Sequence, residues 1–139
     1  EIPLRLVGSE MCIRDRYGDD AIKFLDPKAL EALENVREIL NVPLICNNWA
    51  AGGSREYCGY REPGCGVGTP TGWHYKGAAF DLVSTKLTAK EMREILENNQ
   101  DKLKYPIRVE KWDNHGEITW LHIDISPNTK GKKLYFFKA

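Results

Sequence analysis

Hydrophobic positions along the chain predict two helices, with several short strands around them. Asp26 followed by Pro27 is a typical helix start, and aliphatic side chains then recur at helical spacing as far as Leu40. A second helix is predicted after Thr88, because Thr88 and Glu91 have the spacing of a capping box. Short apolar runs of strand length occupy residues 42–46, 78–84 and 133–138.

Polar and aliphatic residues alternate across residues 107–126, as expected for an antiparallel hairpin. A three-residue loop at residues 114–116, with its glycine left-handed, would close the hairpin and pair Arg108 with His122. This register sets Glu110 diagonal to His122 on one face, whereas a two-residue loop would move Glu110 to the opposite face. We prefer the three-residue loop because it separates the aliphatic face from the polar one. The polar face then carries Arg108, Glu110, Trp112, Trp120, His122 and Asp124.

These elements predict an α+β domain, in which helices pack on one face of a small, mostly antiparallel sheet. Residues 1–16 resemble a translated sequencing adaptor, so we expect a non-native leader there and the folded domain at residues 17–139. An ordinary edge strand within the first residues is the alternative. If the leader is non-native, the natural start and any export signal are missing from this sequence.

Composition narrows the classes of function. With 42% hydrophobic residues, the 139-residue chain can bury a single core. Twenty basic and twenty acidic residues cancel, which argues against a polycationic surface for nucleic acid. No apolar run reaches the length of a membrane span, and charges interrupt any signal-like segment. We therefore expect a monomer that binds neither nucleic acid nor membrane.

The residues with the clearest chemistry are two histidines and an aspartate. His74 and Asp81 lie in the segment HYKGAAFD, and His122 lies in WLHID. Three nitrogen and oxygen ligands leave one position of a tetrahedral Zn²⁺ open for water, which is the catalytic arrangement. Such a set does not neutralise the ion fully, so the ion can acidify water and polarise a carbonyl. Gly77 and Ala79 are small, as expected where the backbone passes close to the metal or to a neighbouring element. The sequence thus predicts a zinc cleft on the polar face of the sheet.

The pattern HxxGxAxD followed by WxHxD is similar to the D-alanyl-D-alanine carboxypeptidase superfamily of zinc peptidases, which also contains hedgehog-type domains. Residues 47–53, 59–61 and 108–110 resemble small phage and prophage members, related to endolysins, that cut peptidoglycan stem peptides. The resemblance implies hydrolysis next to a D-amino acid, by a carboxypeptidase or an endopeptidase. It also implies that peptidoglycan is the partner, so the protein would stay in the cytoplasm of the producing cell or be released to the wall.

The general base is ambiguous in this sequence. Many members of the superfamily carry a glutamate three residues before the last zinc histidine, and Thr119 stands there. The remaining candidates for the base are Glu110, Asp124 and Glu117. We prefer Glu110 because it is predicted to lie on the same face of the hairpin as His122. Asp124 could instead orient an imidazole, and Glu117 lies near the turn. The resemblance further implies that Arg61 faces the scissile carbonyl or a substrate carboxylate.

Two alternatives remain open. A zinc-containing module could bind peptidoglycan or protein without catalysis, which the threonine at position 119 favours, and a phage tail-associated module would share the same site.

Cys58 and Cys65 flank a turn-rich segment and could form a disulfide, remain reduced, or contribute with a histidine to a structural zinc site. We rank the structural site low because it lacks a C-x-x-C spacing.

Overall fold

The computed structural model describes residues 25–46, 73–74, 76–111, 119–127 and 129–138, together with the backbone of residues 6–7. The predicted loop at residues 114–116 lies outside the described residues. In chain order the elements are β1 (Leu6–Val7), α1 (Pro27–Leu40), β2 (Leu44–Ile45), β3 (Ala79–Leu82), α2 (Ala89–Asn98), a 3-10 turn (Gln100–Lys102), β4 (Ile107–Glu110), β5 (Leu121–Asp124) and β6 (Leu134–Phe137).

Both helices begin where the sequence predicts. The Asp26 side chain accepts a hydrogen bond from the backbone N–H two residues later at 2.8 Å, and Pro27 occupies the first turn of α1. The helix ends at Asn41, which is left-handed with φ of 55°. At the start of α2, Thr88 Oγ1 accepts from the Glu91 N–H at 3.1 Å, and Glu91 Oε1 accepts from the Thr88 N–H at 2.9 Å. The capping box is therefore confirmed.

Within the described residues, the main sheet has four strands in the order β3-β5-β4-β6. Strand β5 is antiparallel to both of its neighbours, whereas β6 runs parallel to β4. A smaller parallel pair joins β1 to β2, and a single bridge between Ile45 and Val83 connects β2 to the end of β3. The predicted α+β class with a mostly antiparallel sheet is confirmed.

The register between β4 and β5 differs from the predicted one by two residues. Arg108 lies opposite Asp124, and Val109 lies opposite Ile123, so the predicted pairing of Arg108 with His122 is wrong. The observed register places opposite charges across the two strands, which a bidentate Arg108–Asp124 salt bridge stabilises. Because a shift of two residues preserves strand alternation, the side chains of β4 and β5 keep their predicted faces.

The aliphatic face of the sheet forms the core with the two helices. Alternate positions of β4 and β5 on this face are fully buried, and they pack with the inward stripes of α1 and α2. The Asn35 side chain ties α1 to the segment after α2, since it donates to the Lys102 carbonyl at 3.3 Å and accepts from the Lys104 N–H at 2.8 Å. In the part of the chain described here, neither helix has the length and apolar character needed to cross a bilayer.

Candidate metal centre

His74 lies in a tight turn just before β3. The N–H of Ala78 donates to the Trp73 carbonyl at 3.0 Å, and that of Gly77 donates to the His74 carbonyl at 3.1 Å. Gly77 has φ of 67°, a left-handed conformation that is costly for residues with a side chain. The Asp26 N–H donates to the Gly77 carbonyl at 3.0 Å, so the turn is attached to the start of α1. The glycine of the motif is therefore explained by the backbone conformation of this turn.

The other two predicted ligands lie directly opposite each other on adjacent strands. Asp81 of β3 pairs with His122 of β5, and His122 Nδ1 is 2.8 Å from Asp81 Oδ1. His74 Nε2 approaches the other oxygen, Asp81 Oδ2, at 3.3 Å, and the two imidazole rings meet edge to face with centroids 5.2 Å apart. The predicted convergence of the three side chains is confirmed.

This arrangement of donor atoms fits one metal ion. One ligand atom from each of His74, Asp81 and His122 lies within 4.8 Å of the others. Bonds of about 2.0–2.1 Å to a tetrahedral zinc would set such atoms roughly 3.3 Å apart, a separation that lies within this limit. His74 and Asp81 are buried, and the His122 side chain is 13% exposed, so the group is largely shielded from solvent. The three side chains could hold a metal ion.

Strong hydrogen bonding fixes the charges of the group before any metal binds. Burial tends to raise the pKa of Asp81, but hydrogen bonds with His122 and His74 outweigh it and hold this pKa well below its usual range. Burial likewise opposes the charged form of His122, yet its hydrogen bonds to Asp124 and Asp81 raise its pKa to about 9. At neutral pH the imidazole is therefore protonated, and a metal ion must displace that proton.

Asp124 holds the opposite side of the His122 ring. Its Oδ2 lies 2.9 Å from His122 Nε2, and its side chain is only 1% exposed. Burial raises the pKa of Asp124, but hydrogen bonds with His122 and Arg108 outweigh this effect and lower the pKa to about 2. Because Nε2 faces Asp124, Nδ1 is the ring nitrogen that faces Asp81. A carboxylate behind a metal-binding histidine is a common way to fix the ring and its tautomer, which favours the orienting role for Asp124 over that of a base.

Glu110 lies half-buried at the end of β4, on the same face as Arg108. The observed register, continued by one residue, sets Glu110 opposite His122 rather than diagonal to it. Arg93 of α2 fixes the backbone here, since its Nε donates to the Glu110 carbonyl at 3.1 Å and its Nη2 to the Trp120 carbonyl at 3.0 Å. The role of Glu110 as the base stays a prediction. The described residues do not include Arg61, Glu117, Cys58, Cys65 or Trp112, so the roles predicted for them stay predictions.

Sequence reasoning missed the contribution of Phe137. Its ring lies 3.9 Å from Arg108 Cζ, and it meets the His122 ring edge to face with centroids 5.6 Å apart. Strand alternation places Phe137 on one face of β6, but it does not reveal which strand lies beside β6. The parallel pairing of Glu110 with Phe137 brings this ring to the metal-binding face.

A cavity of about 700 Å³ lies beyond the end of β3, lined by residues 83–92 and by Thr119. None of the three candidate ligands, His74, Asp81 and His122, lines this cavity. Thr119 itself is exposed. The predicted cleft directly over the metal-binding group therefore stays a prediction.

Comparisons with protein-family models, curated proteins and solved structures found no match. The resemblance to zinc peptidases consequently rests on sequence motifs, namely HxxGxAxD, WxHxD and the shorter matches at residues 47–53, 59–61 and 108–110.

Proposed function

We propose that the protein is a zinc-dependent metallopeptidase that hydrolyses peptidoglycan stem peptides next to a D-amino acid. The observation that carries this proposal is the convergence of His74, Asp81 and His122 on one point. Two imidazoles and a carboxylate are typical of catalytic zinc sites, whereas structural sites use four ligands and favour cysteine. Specificity for peptides with D-amino acids is inferred from the sequence motifs alone.

The donor set also limits the choice of metal. Magnesium and calcium prefer oxygen ligands, so two imidazole nitrogens argue against both ions. Non-haem iron(II) also binds to two histidines and one carboxylate, which makes elemental analysis part of the test. The motif resemblance favours zinc.

The chain would supply positioned acid–base groups around the ion. A bound zinc would contribute a water molecule acidified toward neutral pH and a Lewis acid for the scissile carbonyl. The carboxylate of Glu110 would take a proton from this water and return it to the leaving amine. Asp124 would keep the His122 ring in place, and Arg61 would donate N–H groups to the carbonyl oxygen or to a substrate carboxylate.

Incubation of zinc-loaded protein with purified peptidoglycan, followed by mass analysis of the soluble products, tests this function. Loss of a single D-alanine would indicate a carboxypeptidase, and release of larger stem-peptide fragments would indicate an endopeptidase. Glu110→Gln should keep its zinc but lower the rate roughly 10²–10⁴-fold, the usual cost of losing a positioned acid or base. Glu97→Gln, an exposed position on α2, is the matched control and should react normally.

Failure of the zinc-loaded wild-type protein to release any product would contradict the peptidase assignment. If that protein still sedimented with peptidoglycan, the non-catalytic binding module would be favoured. The presence of Thr119, where many related peptidases carry a glutamate, is the observation behind this second candidate.

A further inference from the structure

Arg108 forms the outer end of a continuous chain of contacts that leads to the metal-binding group. Its Nε lies 2.8 Å from Asp124 Oδ1, and its Nη2 lies 2.8 Å from Asp124 Oδ2. The Ser126 N–H also donates to Asp124 Oδ1 at 3.0 Å, while Oδ2 accepts from His122 Nε2. Both carboxylate oxygens are thus fixed, and the plane of the carboxylate is set mainly by the guanidinium fork.

Phe137 holds the same arrangement from β6. Its ring stacks against the Arg108 guanidinium and meets the His122 ring in an edge-to-face arrangement. A guanidinium stacked on an aromatic ring retains its planar fork, which a lysine ammonium cannot provide. The Arg108 side chain is 15% exposed and that of Asp124 is 1% exposed, so solvent cannot easily replace these contacts.

We propose that Arg108 is a positioning residue for the metal centre, acting through Asp124 to fix the His122 ring with Nδ1 toward Asp81, so that this nitrogen would be free to bind a metal ion. This inference rests on the proposed metal-dependent function. It assigns to Arg108, and to the Phe137 ring behind it, a role that is distinct from direct contact with the metal or with substrate. Without the guanidinium, the Asp124 carboxylate can rotate away from Nε2, and the ring loses its fixed orientation.

The test compares the metal affinity of Arg108→Met with that of the wild type by competition against a chromophoric zinc chelator. Changes in outer partners of metal-binding histidines typically cost 10–100-fold in affinity, and we expect roughly 10-fold for this more distant residue. Arg108→Lys should recover only part of the loss, because an ammonium group cannot bind both oxygens in the same plane. The cobalt-substituted Arg108→Met protein should also show altered visible absorption bands, since the His122 ligand is reoriented.

Arg37→Met is the matched control. Arg37 also forms a salt bridge, with Glu34 at 3.1 Å, but it lies on α1 away from the metal-binding side chains. The zinc affinity of the Arg37→Met protein and the visible spectrum of its cobalt form should match those of the wild type. Circular dichroism of each variant establishes that it is folded, and Arg108→Lys provides a milder change if Arg108→Met does not fold.

A lower melting temperature for the Arg108 variants, with unchanged zinc affinity and an unchanged cobalt spectrum, would overturn the positioning role and leave Arg108 as a structural residue. That outcome would not affect the proposed peptidase. Absence of zinc binding by the wild-type protein would overturn both proposals, so the two failures are distinguishable.

Discussion

Protonation of His122 should make the stability of the metal-free protein depend on pH. The hydrogen bonds to Asp124 and Asp81 overcome burial and raise the pKa of His122 from 6.5 to about 9. Because the folded state binds this proton more tightly than the unfolded state, the stabilisation is complete below about pH 6.5 and is lost as the pH rises through about 9. At about 1.4 kcal/mol per pKa unit, this rise in the pKa of His122 adds roughly 3 kcal/mol to the free energy of unfolding at low pH.

The acidic partners do not alter this pH window. The pKa values of Asp81 and Asp124 are both lowered in the folded protein, so their stabilisation is present above about pH 4 and is lost only toward pH 2. Between pH 6.5 and 9 both groups remain ionised in the folded and unfolded states. Cysteine thiols and the other histidines can also titrate in this window, so His122 is measured by the difference in slope between the wild type and a His122 variant.

Urea unfolding in the presence of a metal chelator, between pH 6 and pH 9.5, measures the effect. Over this pH range, the free energy of unfolding of the wild-type protein should fall by roughly 3 kcal/mol more than that of His122→Gln. Imidazole resonances in NMR provide a direct check, since the chain has only three histidines. A His122 midpoint near 6.5, together with a constant stability difference between the two proteins, would refute the reasoning.

Four further changes test separate parts of the molecule. Asp124→Asn should weaken metal binding by roughly 10–100-fold. Glu110→Gln should leave metal binding intact. Normal turnover of stem peptides by the Glu110 variant would show that another residue is the general base. Replacing both Cys58 and Cys65 by serine should leave about one metal ion per chain, because the proposed ligands are elsewhere; loss of the metal would favour the structural site. Asn35→Leu should lower the free energy of unfolding by roughly 1–3 kcal/mol, because it removes the partner of two backbone groups that follow α2. A loss below about 0.5 kcal/mol in urea unfolding would contradict that last assignment.

Local patterns predicted the parts of the fold that local chemistry determines. Asp26 with Pro27, and Thr88 with Glu91, define both helix starts because capping depends on neighbouring residues only. The face on which each side chain of β4 and β5 lies was predicted correctly, because successive residues of a strand point to opposite sides of the sheet. The grouping of His74, Asp81 and His122 was predicted from their residue types and their placement, and the fold brings them close enough that they could hold a metal ion.

The register and the pairing of the strands could not be predicted from local sequence patterns. Alternation is unchanged by a shift of two residues, so it could not distinguish Arg108 opposite His122 from Arg108 opposite Asp124. The parallel partner of β6 depends on tertiary packing and not on the pattern within the strand. For that reason the contact of Phe137 with His122 could not be predicted.

Metal content of purified protein tests the central claim most directly. After equilibrium dialysis against zinc, elemental analysis should find about one zinc ion per wild-type chain. His74→Ala and His122→Ala should each lose most of this zinc, whereas His115→Ala, a change outside the proposed ligand set, should retain it. Full zinc occupancy in both His74→Ala and His122→Ala would contradict the metal centre and the function proposed from it.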